Sequence, residues 1–412
     1  MIKISEAASG NLRKELSRRR EIFCTGLFLS ARWFVVSESA KEGINLIILP
    51  TREAAEYAAS DLYNLTEGDC VFYLPDSGKA VARSNYKSSL SVQRTSAVGK
   101  IMSWKEGKTF IVTYPEALEE GIPPVGNMEM SMLTVHMNEN AGFSTVRDRL
   151  AEMGFEKVDF VSAPGQYAVR GSVIDIFSYS IENPYRISFF GDEVDKITIF
   201  NCNTQLSIDK PDVVDIIPDI SSTEGGEVSI LSILPKSTTL WLDSSDMYSG
   251  KPFFEESGNF QKVYIDPPLS SVEAGKIQFY ITPQPVFNKN FDLLLEDISR
   301  RMEQGYRVVI FGEKEKQLDR LRAIMKEENI TVFPEFVPGS SIHSGFIDNE
   351  NRICCYTDHE IFDRFQRVRL RRSVEKSEQL TLNELTSFNI GDYVVHIDHG
   401  IGIFGGLVKM KD

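Results

Sequence analysis

The sequence predicts a multidomain α/β protein. Three observations carry that expectation. Residues 1–120 and 276–365 each alternate short apolar strands with amphipathic helices, the order that builds a parallel sheet flanked by helices. Residues 164–206 hold short runs of alternating apolar and polar residues punctuated by turn formers, the pattern of a small antiparallel meander. At 412 residues the chain is too long for one core, and three or four domains are expected.

The first block, residues 1–120, reads in order. Glu6–Arg20 has a helical pattern and Ile22–Leu27 is a short strand. Ala31–Lys41 is helical and Asn45–Leu49 a strand. Thr51–Leu65 is a helix with Thr51 as N-cap and Glu53 in the first turn. Val71–Leu74 is a strand, Ser91–Trp104 a helix and Thr109–Val112 a strand. Residues 121–208 form a β-rich block, entered through Gly121-Ile122-Pro123-Pro124, with Thr145–Met153 as a helix. Its strands are Tyr167–Val169, Val173–Ile176, Tyr185–Phe189 and Lys196–Phe200, with Gly165, Gly171 and Gly191 as turn formers. Residues 209–275 are turn-rich, with an exposed loop expected at Ser221–Gly226 and strands at Val228–Leu231 and Thr239–Leu242. Residues 276–365 return to α/β order. Phe291–Met302 and Glu315–Glu328 are amphipathic helices. Tyr306–Phe311, Ile330–Phe333 and Arg352–Tyr356 are strands. Residues 366–387 read as a linker before the last block, residues 388–412.

Composition excludes several classes. Hydrophobic content of 42% is enough for real cores, yet no apolar run reaches membrane-spanning length and Met1–Glu6 is no signal peptide. Cys24, Cys70, Cys202, Cys354 and Cys355 lack metal-knuckle or redox spacing, which fits reduced thiols in the cytoplasm. The net charge of −14 opposes DNA binding, which needs clustered Lys and Arg against phosphate. The densest basic run spans Arg364, Arg367, Arg369, Arg371 and Arg372. It admits two readings, a contact for nucleic acid or an acidic partner, or a solvated linker helix.

A nucleotide-binding α/β domain would carry Gly-x-x-x-x-Gly-Lys-Ser/Thr between its first strand and helix. Here that place reads Gly26-Leu27-Phe28-Leu29-Ser30-Ala31-Arg32-Trp33. Only Gly26 survives. Ala31 replaces the second glycine, Arg32 the lysine and Trp33 the magnesium-binding hydroxyl. No nucleotide binding is expected, and Ser30 reads instead as the helix N-cap. His396, Asp398 and His399 have metal-ligand chemistry, but His399 enters a turn and no further ligand is near in sequence. No metal or other cofactor is expected, nor any catalytic constellation.

The run Pro-Gly-Gln-Tyr-Ala-Val-Arg-Gly-Ser-Val-Ile-Asp-Ile-Phe from Pro164 to Phe177, with Pro184–Ile197 after it, resembles the second domain of two related bacterial repair families, UvrB and the transcription-repair coupling factor Mfd. UvrB keeps an intact phosphate loop, whereas the coupling factors have a similar first block without one. The degenerate loop therefore favours the coupling factors. Thr357–Phe362 resembles the end of their third domain, and Phe388–Gly402 the opening of their RNA-polymerase-interacting domain, a small barrel.

That resemblance implies a UvrB-like module made of a degenerate P-loop-type domain and a small β-rich domain. Residues 209–275 would pack back on the first domain. It implies a non-catalytic adaptor that recruits UvrA to RNA polymerase stalled at DNA damage, with the ATP-driven helicase motor lying C-terminal to this fragment. RNA polymerase would be met through the domain beginning at 388, incomplete here. Arg170, Arg186 and Phe190 occupy the positions that face UvrA. The alternative for these three is a buried Phe190 and ordinary salt bridges for the arginines, Asp175 pairing with one of them. The alternative functions are a UvrB-like damage-binding ATPase and a transcription regulator acting through the C-terminal barrel.

Overall fold

Strands here alternate their side chains between two cores, and this decides the layering. The computed structural model describes residues 2–66, 68, 70–77, 84–181, 183–202, 204–220, 227–267, 276–327, 333–364, 393–396 and 400–403. Its architecture is mixed α/β with several sheets. The expected loop at Ser221–Gly226, most of the expected strand at Ile330–Phe333, the linker and the Arg run beyond Arg364 lie outside the described residues, as do Asp398 and His399.

The largest sheet has seven parallel strands among the described residues. Their order is Lys276–Gln278, Glu21–Thr25, Gln261–Ile265, Thr239–Asp243, Gly43–Ile48, Lys108–Thr113 and Val71–Tyr73. In the strand at 43–48, Ile44, Leu46 and Ile48 enter one core while Ile47 enters the other. Burial on both faces explains why these strands read as continuous apolar runs. Helix Ala31–Ser39 is sandwiched between this sheet and a second one. Phe34 meets Phe311 and Phe346 edge-on at 6.1 and 5.4 Å between ring centres.

The second sheet runs Ile281–Pro283, Phe346–Asp348, Ile353–Thr357, Arg307–Gly312 and Glu335–Pro338, the last three parallel. Helices Phe291–Glu303 and Glu315–Glu327 bury Leu294, Leu295, Ile298, Leu318, Leu321 and Met325 against its far face. The third sheet runs Ser207–Asp209, Glu193–Phe200, Tyr185–Phe190, Val173–Phe177, Gln166–Arg170 and Glu156–Lys157, antiparallel except for the last pair. Helix Phe143–Glu152 packs Val146 and Leu150 under it. Residues 393–396 and 400–403 pair as an antiparallel hairpin in a separate unit. Among the described residues no helix is long and apolar enough to cross a membrane.

Several expected boundaries move. The first helix stops at Leu16, where Ser17 caps it with both its N–H, at 3.2 Å, and its hydroxyl, at 2.7 Å, donating to Lys14 O. The first strand stops at Thr25, where Gly26 takes a positive φ of 70°. Val228–Leu231 is not a strand. Val228 makes a single bridge to Ile122, and a 3₁₀ turn, Ile230–Ile233, follows, seeded by the Ser229 hydroxyl accepting from Leu231 N–H at 3.2 Å. Past residue 208, Val213–Ile216 still pairs with Leu133–His136, and Val214 and Ile216 sit in the small sheet's core. Thr51 caps its helix as expected, accepting from Ala54 N–H at 3.2 Å.

Candidate protein-docking site

The small sheet has two unlike faces. One presents Tyr167, Ile174, Ile176, Tyr185, Ile187, Phe189 and Val194 to the core. On the other, Ala168, Asp175, Arg186 and Thr198 lie side by side across four strands. Period-two alternation sets this arrangement. It also puts Arg186 and Phe190, four residues apart, on the same side of strand Tyr185–Phe190.

Asp175 is 1% exposed, and a carboxylate so buried needs partners. It has two. Its Oδ1 accepts from Arg186 Nε at 2.7 Å and its Oδ2 from Arg186 Nη2 at 2.9 Å, a bidentate fork. Arg170 Nη2 donates to the same Oδ2. Hydrogen bonding to Asp175 raises the Arg186 pKa above its ordinary value, ahead of the opposing effect of burial. Two guanidiniums against one carboxylate leave a net positive charge at the face. Aromatic rings support both arginines. The Arg186 guanidinium lies 4.1 Å from the Phe200 ring centre and that of Arg170 lies 4.8 Å from Phe160.

Phe190 is 82% exposed and Phe160 65%. The reading of Phe190 as core is therefore wrong, and Asp175 binds both arginines rather than one. Phe160 escaped sequence reasoning because it sits in a loop, Val158–Ala163, with no strand periodicity to assign it a face. The chemistry this arrangement presents is that of contact. It offers fixed cations and unburied aromatic rings, the residue types that dominate binding energy at protein interfaces.

The segment Gly26–Trp33 behaves differently. A Cβ on Gly26 would lie 2.4 Å from the Phe279 carbonyl oxygen, so backbone packing alone requires this glycine. Its N–H donates to Asp266 Oδ1 at 3.1 Å, where a phosphate would need it. Arg32 is bound by Asp243, and its Nε donates to Leu29 O at 3.0 Å. Burial raises the Asp243 pKa and Asp266 adds to the rise, while Arg32 opposes it. An incoming phosphate would thus face two carboxylates and an arginine already engaged. Ala31 and Trp33 belong to the core.

Ser30 does not cap its helix with its side chain. Its hydroxyl pairs with Asp61 Oδ2 at 2.6 Å and accepts from Ser344 N–H at 2.8 Å, while His343 N–H donates to Asp61 Oδ1 at 2.8 Å. Asp61 is fully buried, which pushes its pKa up to about 7. The loop is thereby bolted to the second sheet. Among the described residues no three His, Cys, Asp or Glu side chains converge as a metal site.

Comparisons with known proteins bear on the same regions. Residues 133–221 match the family model of the UvrB interaction domain, and residues 388–412 that of the CarD-like/TRCF RID domain. The chain is similar to the transcription-repair-coupling factor of Bacillus subtilis (strain 168), at 23% identity over 95% of this chain and 42% of that protein. The factor of Borreliella burgdorferi is 22% identical over 91% and 39%. That of Staphylococcus aureus (strain USA300) is 20% identical over 94% and 42%. The chain thus spans about 42% of the length of the relatives it matches.

Proposed function

The chain is of the transcription-repair-coupling factor family, and from that premise we propose that it is an adaptor whose small sheet docks the damage-recognition protein UvrA. Docking would bring UvrA to RNA polymerase stalled at a lesion, as a step of nucleotide excision repair in the cytoplasm. The observation that carries this reading is the outer face of the small sheet. Arg170 and Arg186 are held by buried Asp175 beside the exposed ring of Phe190. Fixed guanidiniums match carboxylates on a partner, and the ring supplies area to bury.

The domain plan follows the same premise. Residues 1–120 with most of 209–275 form a scaffold derived from a phosphate-loop domain, residues 121–208 with Val213–Ile216 the docking domain and residues 276–365 a second α/β domain. The region from 388 begins a small barrel that meets RNA polymerase. This region of the family performs no catalysis in the proposal, and it binds DNA weakly at most, given the net charge of −14. The competing reading, a UvrB-like ATPase, conflicts with Asp243 and Asp266 at the loop.

Surface-immobilised UvrA with the full chain as analyte tests the proposal. Arg186→Ala is expected to weaken binding by at least about tenfold, as a paired and desolvated interfacial arginine does. An unchanged dissociation constant places the docking contact elsewhere.

A further inference from the structure

We infer that Gln205 is a positioning residue for Arg186, and that the hydrogen bonds among Asn201, Cys202, Thr204 and Leu206 are built to hold it. The inference rests on the docking role proposed for Arg186.

Gln205 has a φ of 59°, the left-handed region that residues bearing a Cβ avoid. Glycine or asparagine suits that conformation better. Those bonds enforce it. Gln205 N–H donates to Asn201 O at 2.8 Å, Asn201 N–H to Leu206 O at 2.9 Å and Thr204 N–H to Asn201 Oδ1 at 2.9 Å. The side chain is fixed as well. Its Nε2 donates to Cys202 O at 2.7 Å, and its Oε1 accepts from Arg186 Nη2 at 2.8 Å. A backbone carbonyl only accepts and a guanidinium only donates, so one orientation of the amide satisfies both and the flipped one satisfies neither. Local strain of this kind persists where surrounding structure over-determines it, and such places cluster at binding sites.

The consequence falls on Arg186. One edge of its guanidinium is held by Asp175, its second Nη2 hydrogen by Gln205, and its face by Phe200. Among the described residues nothing accepts from Nη1, so that edge remains for a carboxylate on the partner. An arginine ordered before docking loses less rotamer freedom when docking occurs. Gln205 would therefore raise affinity without touching the partner.

The test is Gln205→Gly in the full chain, measured for UvrA affinity and thermal midpoint together. Glycine relieves the backbone strain and deletes the amide. The expected result is an unchanged or raised midpoint with affinity lower by about two- to tenfold, the size of one side chain ordered on binding. A residue serving only this local structure would not move the two readouts apart. In an Arg186→Ala background, Gln205→Gly should have no further effect, whereas in a Phe190→Ala background its effect should persist. If Phe190→Ala weakens docking and Gln205→Gly does not, the positioning role is wrong and the docking face stands. If Arg186→Ala and Phe190→Ala both leave affinity unchanged, the docking reading falls and this inference with it.

Discussion

Two regions of this chain use the same three residue types and reach opposite ends. At Gly26–Trp33, Arg32 pairs with Asp243 and lies 5.0 Å from the ring centre of Trp33. On the small sheet, Arg186 pairs with Asp175 and lies 4.1 Å from that of Phe200. The difference lies in what remains after internal partners are served. Arg32 also donates to Leu29 O, a second carboxylate, Asp266, takes the loop's Gly26 N–H, and Trp33 is buried. Around Arg186, one carboxylate serves two arginines, and Phe190 beside them is unburied. At the first place the arginine and the glycine are used up by internal partners, while the β-meander leaves two held arginines beside an exposed ring at its surface.

The largest effect expected from perturbing this contrast is on stability. Removing one arginine leaves Asp175 with a partner, whereas Arg170→Ala with Arg186→Ala leaves a buried carboxylate alone. Stripping a buried charge of its partners destabilises by about 3–5 kcal/mol. Urea denaturation of the double variant should show a loss of that order, substantially recovered by adding Asp175→Asn. A loss under about 1 kcal/mol would mean that water reaches Asp175. Pull-down with the double variant therefore mixes docking with folding, and Phe190→Ala separates them.

A smaller effect concerns the bolt beneath the loop. The Asp61 carboxyl is pushed up to about 7, chiefly by burial, against about 3.9 in an unfolded chain. Between these values the folded state holds a proton that the unfolded state has lost. Stability from this group is thus complete at the acid end and falls as pH rises towards about 7. Asp61→Asn mimics the protonated form, accepting from His343 N–H and donating to Ser30 Oγ. It should flatten this part of the stability–pH curve and raise stability at pH 8. A variant that keeps the parent's slope removes Asp61 as its source.

The smallest expected effect is none. Calorimetry with ATP and Mg²⁺ should give no binding heat. Restoring glycine and lysine at Ala31 and Arg32 should not create it, because Asp266 still occupies the Gly26 N–H. Micromolar binding by the parent would erase the contrast between the two regions.

The outer face of the small sheet was legible where strand periodicity reached it. Alternation along Tyr185–Phe190 fixed Arg186 and Phe190 on one side, and Asp175 was a recognisable partner. Gln205 and Phe160 were not legible, because both act from loops across strands. Ser30 looked like a cap, since its partners Asp61 and Ser344 lie 31 and 314 residues away. Strand order in the large sheet was equally hidden. Thr239–Asp243 and Gln261–Ile265 enter between Glu21–Thr25 and Gly43–Ile48, a choice made by long-range packing and not by local propensity.

The central claim is that the outer face of the small sheet docks UvrA. Titrating UvrA into the full chain by calorimetry, parent beside Phe190→Ala, tests it most directly. Phe190 is largely in solvent, so its loss should leave the thermal midpoint unchanged. The parent should bind saturably, and the variant should bind at least about tenfold more weakly, as expected for a buried aromatic anchor. Equal binding by both, or no binding by the parent, contradicts the claim.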